Sequence, residues 1–148
     1  MNQINIINDY NKDLVYNKKL INTVINNLFL NQNVSFDKIL IILSNKKLLN
    51  KLKKDYFKLD QYTDVIVFNL EENNNLIDGE IYISIDDILE NSVKYKQTFD
   101  LEFKRVLIHG ALHLLGYEDG TSVEKNIMRK LENKYIRDNT RNIISINL

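Results

Sequence analysis

Leu20, Ile21, Val24, Ile25, Leu28 and Phe29 recur three and four residues apart, which puts them on one face of a helix over 17–31. Ile4, Ile6 and Ile7 predict a short strand before it. The run VSFDKILIIL at 34–43 is β-branched and nearly continuous, as in a strand buried on both faces. Ser44 is then placed to cap a helix running to 57. TDVIVFNL at 63–70 and LIDGEIYISI at 76–85 predict two more strands, with ENNN at 72–75 as the turn between them. Asp86 or Asp87 is expected to cap a short helix over 87–96. A longer helix follows over 99–115, with Gly116 as its stop. Thr121 with Glu124 three residues on predicts a capping box for a last helix over 122–137. The tail RNIISINL is expected either to add an edge strand or to fray.

No repeat, linker or composition break divides this pattern, so a single domain over 1–148 is expected. Its class is α/β (α+β): a mixed sheet of about four strands flanked by about five helices. Lys plus Arg equals Asp plus Glu at 20 each, so nucleic acid would be held by a local patch, not by whole-chain charge. No cysteine is present, which excludes disulfides and thiolate metal sites. No basic-then-apolar leader and no 18-residue apolar run are found, so a cytoplasmic chain with no membrane partner is expected. Asn, Ile and Lys dominate and Ala111 is the only alanine, as a codon bias toward A and T would give. Against that bias, three of the four glycines, Gly110, Gly116 and Gly120, cluster around HGALHLLGYED at 109–119.

That stretch also holds both histidines, His109 and His113. Residues four apart on a helix share a face, so the two imidazoles can converge on one ion. Gly116 lets the chain turn back, and Asp119 is then placed as a third ligand, with Glu118 as the neighbouring fallback. The metal site is thus expected at the end of the long helix. Two imidazoles and a carboxylate suit one Zn2+ with a position left open, as in catalytic rather than structural sites. An open position supplies a polarised water near neutral pH. The spacing overlaps the zinc-protease pattern H-E-x-x-H-x-x-G-x-x-H, but the position of its general base is Gly110, which carries no side chain.

The same residues resemble the H-G-x-L-H-L-x-G-Y-D-H box of the YbeY family of bacterial endoribonucleases. QYTDVIVF at 61–68 is similar to that family's P-T-D-V-L-S-F strand, and GEIYIS at 79–84 to its G-D-I-x-I-S strand. Glu124, Met128 and Glu132 follow its E-x3-M-x3-E helix. The resemblance covers about residues 45–135 and implies a single-strand-specific, zinc-dependent endoribonuclease. It further implies action in small-subunit rRNA maturation and ribosome quality control, with single-stranded rRNA and the small subunit as partners. His109, His113 and Asp119 fall on the three metal positions. The third is histidine in the usual box, and an oxygen donor there makes Mn or Mg more competitive.

A second departure is Phe57, where the family pattern has an arginine thought to serve the phosphate. Lys58 beside it can supply charge but not the guanidinium fork, and is a candidate catalytic residue with Arg105. Arg105 can reach a phosphate or pair with Glu102 on its own helix. Asp64 is read as holding a loop or orienting a histidine. Lys46, Lys47, Lys51, Lys53, Lys54 and Lys58 make one helix basic: a solvated face, or an RNA contact in which Lys53, Lys54 and Lys58 are the candidates. Tyr56, Phe57 and Tyr62 are candidates for stacking on unpaired bases. Two other classes remain beside the nuclease: a metalloprotease-like hydrolase, and a non-catalytic, metal-stabilised ribosome-assembly factor.

Overall fold

A computed structural model describes residues 2–59, 63–71 and 76–148. The turn expected at 72–75 and the stacking candidate Tyr62 lie outside the described residues. The chain order is β1 (Gln3–Asn8), β2 (Leu14–Tyr16), α1 (Lys18–Asn31), β3 (Phe36–Ser44), α2 (Lys46–Phe57), β4 (Val65–Asn69), β5 (Ile77–Ser84), α3 (Ile85–Lys94), α4 (Phe99–Leu114), α5 (Ser122–Arg137) and β6 (Ile144–Ile146). The main sheet runs β1-β3-β5-β4, with β1, β3 and β5 parallel and β4 antiparallel to β5. Four strands in a mixed sheet and five helices match the expected class. No helix among the described residues is long and apolar enough to cross a membrane.

The central strand β3 buries Ile39, Ile41, Ile42 and Leu43, as its continuous apolar run requires. The tail does not fray. β6 pairs antiparallel with β2, a three-residue strand too short to leave a periodic signal, in a separate two-stranded sheet.

Two caps move by one to three residues. Ser44 is the buried last residue of β3, and Asn45 caps α2 instead, its Oδ1 accepting the Leu48 N–H at 2.8 Å. Ser84 caps α3, its Oγ accepting the Asp87 N–H, while Asp86 and Asp87 lie in the first turn where the helix dipole favours them. Asp86 is also held from outside the helix, accepting the Tyr10 hydroxyl and the Lys46 N–H. The capping box of α5 forms as expected between Thr121 and Glu124.

The two faces of the sheet are covered differently. Side chains alternate along a strand, so Val65 and Val67 point one way and Phe68 the other, as do Ile81 and Tyr82. Gly110 of α4 lies against Val65, Val67 and Ile81. Tyr56 and Phe57 of α2 instead meet Phe68, which in turn meets Tyr82. Helices α2 and α4 therefore lie on opposite faces.

Candidate metal centre

Helix α4 ends at Leu114, and Gly116 follows its cap residue Leu115. The Gly116 N–H donates to the His113 carbonyl and the Tyr117 N–H to the Leu112 carbonyl. These two bonds close the helix end with Gly116 at φ +100°, a left-handed conformation that glycine adopts without Cβ strain. The reversal is pinned from outside: the Tyr117 hydroxyl donates to Gln32 Oε1 at 2.8 Å, just past α1. Asp119 is thereby carried back over the helix end.

His109, His113 and Asp119 each bring one ligand atom into a single group, and among the described residues no other such group of three is found. Glu118 is not part of it. The His109 Nε2 lies 3.0 Å from the His113 Nε2 and 3.2 Å from Asp119 Oδ2. The third edge, His113 Nε2 to Asp119 Oδ2, is 3.7 Å. Ligands about 2.0–2.1 Å from a tetrahedral zinc stand about 3.3 Å apart, so the triangle has the right size.

The outer ring nitrogens decide what the inner ones present. His109 Nδ1 is 2.7 Å from Glu132 Oε2, and His113 Nδ1 is 2.9 Å from the Tyr117 carbonyl oxygen. Both partners are acceptors, so each Nδ1 carries a proton, which leaves each Nε2 as the ring atom available to a metal. The two Nε2 atoms and the Asp119 carboxylate oxygen converge on one point, which is the nitrogen and oxygen donor set that a divalent cation takes. The residues present thus fit a divalent metal, with three ligands and a fourth direction open to the cleft.

Glu132 is the residue that the sequence supplied without a role. It lies one turn after the buried Met128 on the inward face of α5 and is itself buried. Arg105 donates to Glu132 Oε1 at 3.0 Å and to Asn133 Oδ1 at 3.1 Å. Its expected pairing with Glu102 is replaced by this contact, which holds the carboxylate that orients His109. Burial raises the Glu132 carboxyl, but hydrogen bonds from His109 and Arg105 outweigh it and hold it below the usual range. Burial lowers the His109 imidazole, but the Glu132 bond and the charges of Glu132, Asp119 and Asp64 outweigh it, and the net shift is upward.

His109 and Asp119 open into a cleft of about 720 Å³ that also reaches Asp64 and Glu102. The Asp64 carboxyl is raised, chiefly by burial. Glu102 is only 7% exposed and makes no side-chain hydrogen bond or ion pair among the described residues. Its carboxyl is raised by burial and by the Asp64 charge against the pull of Arg105 and Arg129. A carboxyl raised on folding binds its proton more tightly in the folded chain. That stabilisation is complete below the ordinary value of 4.5 and is lost as pH rises through the elevated one. Glu102→Gln is therefore expected to melt higher than the parent above neutrality, the gap closing below about pH 4.5 in thermal melts across pH.

The remaining candidates lie elsewhere. Lys53, Lys54 and Lys58 belong to α2 and its end, and none lines the cleft among the described residues. Lys58 Nζ donates to the Asp55 carbonyl, and Lys53 Nζ lies 4.8 Å over the Phe57 ring. Phe57 stacks on Phe68, on the face opposite Gly110. The position of a protease base is closed as well, since a Cβ on Gly110 would lie 3.0 Å from Ile81 Cγ2 and 3.1 Å from Val65 Cγ2.

A family model described as Endoribonuclease YbeY matches residues 4–140. The chain belongs to the YbeY endoribonuclease family. A protein of that name from Amoebophilus asiaticus is 39% identical over 123 residues, covering 83% of this chain and 84% of the relative. One from Chlorobium limicola is 33% identical over 133 residues, 90% of each. The solution structure of a Thermotoga maritima protein superposes with a TM-score of 0.60 at 27% identity, covering 91% of this chain and 87% of that one. YbeY membership supports an endoribonuclease role, with RNA as substrate.

Proposed function

We propose that this chain is a zinc-dependent endoribonuclease that cuts single-stranded RNA in the cytoplasm. Its place is in small-subunit rRNA maturation and ribosome quality control, with the ribosome as partner. The observation that carries the reading is the convergence of two inward imidazole Nε2 atoms and one carboxylate oxygen at the mouth of a cleft. His109, His113 and Asp119 would hold the ion, Glu132 keeps His109 in the tautomer that ligates, and Arg105 keeps Glu132 in place. A bound divalent cation supplies Lewis acidity toward a phosphoryl oxygen and toward water. Zinc is favoured over Mn or Mg because two of three donors are imidazoles at tetrahedral spacing.

Stripping metal with a chelator is expected to abolish cleavage of single-stranded RNA, and about one equivalent of zinc per chain to restore it. Cleavage that survives stripping would remove the reading. A chain that never cuts RNA but sediments with small subunits would favour the assembly-factor class, which Phe57 in the arginine position already suits.

A further inference from the structure

The walls of the cleft are acidic: Asp64, Glu102, Glu132 and Asp119 all contribute to it. An RNA backbone brought to the metal centre adds one negative charge per phosphate. Something in the cleft must offset that repulsion, and the lysines of α2 do not line it. Arg105 lines it but is already committed to Glu132 and Asn133. Two further cations remain, both on α5. Lys125 and Arg129 are four residues apart, so they stack on one face, beside the stripe of Met128 and Glu132 that packs inward. Both side chains line the same cleft as His109 and Asp119. Arg129 is 62% exposed and touches Glu132 only at 3.9 Å. Lys125 makes no side-chain hydrogen bond or ion pair among the described residues.

We propose that Lys125 and Arg129 form the phosphate-binding subsite of this cleft, holding the RNA backbone against the metal centre. The Arg129 guanidinium offers a planar fork to two phosphoryl oxygens, and Lys125 a mobile point charge one turn away. An exposed cation loses little hydration until phosphate arrives, so neither residue is needed for folding or for metal. This rests on the RNA reading above.

The test is fluorescence anisotropy of a labelled single-stranded oligouridine over a range of salt, with cleavage kinetics and metal content on the same samples. The double variant Lys125→Gln, Arg129→Gln is expected to keep its zinc and its melting temperature. Its Kd for the oligouridine should rise about tenfold or more, and its KM with it. The slope of log Kd against log salt should become shallower by about 1.4, two charges at about 0.7 each on a single strand. The single variant Arg129→Lys should keep the parent's salt slope and most of its affinity, since the charge stays and only the planar fork is lost. Unchanged Kd and slope in the double variant, beside a parent that binds and cuts, overturns the subsite alone. A zinc-loaded parent that neither binds nor cuts RNA overturns the RNA reading and the subsite together.

Discussion

Replacing His113 with alanine is expected to empty the metal centre and to lower RNA cleavage by at least about 10³-fold, while the chain stays folded. His113 supplies one corner of the ligand triangle, and the remaining imidazole and carboxylate make too poor a site to hold zinc at ordinary free concentrations. Its contribution to folding is small. The ring is partly exposed, and its one bond to protein outside the cluster is the Nδ1–H donated to the Tyr117 carbonyl. Losing that bond costs about 1 kcal/mol, and water can replace it. Zinc per chain after dialysis, the thermal melt and the rate of RNA cleavage should therefore separate cleanly: the first and third collapse and the second barely moves. Glu132→Gln grades the same centre. It keeps an acceptor for His109 but removes the charge, and should weaken zinc by about 10–100-fold rather than abolish it. Cleavage that persists in a zinc-free His113→Ala chain would show that the reaction does not pass through this centre.

The ligands were legible because they sit within one helix and the turn that ends it. Spacing alone puts His109 and His113 on one face, and Gly116 announces the reversal that returns Asp119. The supporting shell was not legible for the opposite reason. Glu132 reaches His109 from 23 residues away, across a contact between two helices, and no local period encodes which helix faces pair. Lysines 53, 54 and 58 show the same limit. Periodicity identifies α2 as amphipathic, but nothing in its own residues states which side of the sheet the β3–α2–β4 connection takes. Fold elements followed the same division. Long periodic segments such as α1 and α4 are evident, whereas β2 is three residues whose only reason to be a strand is the distant tail that pairs with it. Caps slipped where two polar residues compete: Ser44 is drawn into the sheet by β5, leaving Asn45 to cap α2.

Asp100→Ala is expected to destabilise the fold by about 3–5 kcal/mol, the cost of breaking a buried ion pair from one side. Asp100 and Lys104 lie one turn apart on α4, 8% and 3% exposed, with carboxylate and ammonium 2.8 Å apart. The same carboxylate accepts the backbone N–H of Ile143 at 2.6 Å and of Ile144 at 3.2 Å. One side chain thus neutralises a buried lysine and fastens the tail that enters β6. Alanine would leave an ammonium without a counter-charge and two backbone donors without an acceptor, both away from water. At roughly 2–4 °C per kcal/mol for a chain of this size, the melting temperature should fall by roughly 10 °C. Asp100→Asn keeps an acceptor for the tail but not the charge and should fall between. Adding Lys104→Met to the alanine variant should recover only part of the loss, because the stranded cation goes but the orphaned N–H groups of the tail stay. A full recovery would mean that the tail bonds contribute nothing, and an unchanged melt in Asp100→Ala would mean that α4 is anchored by its apolar face alone. Because the pair lies two turns from His109, zinc affinity of the folded fraction should not change. Stability and metal binding are in this way separable along one helix.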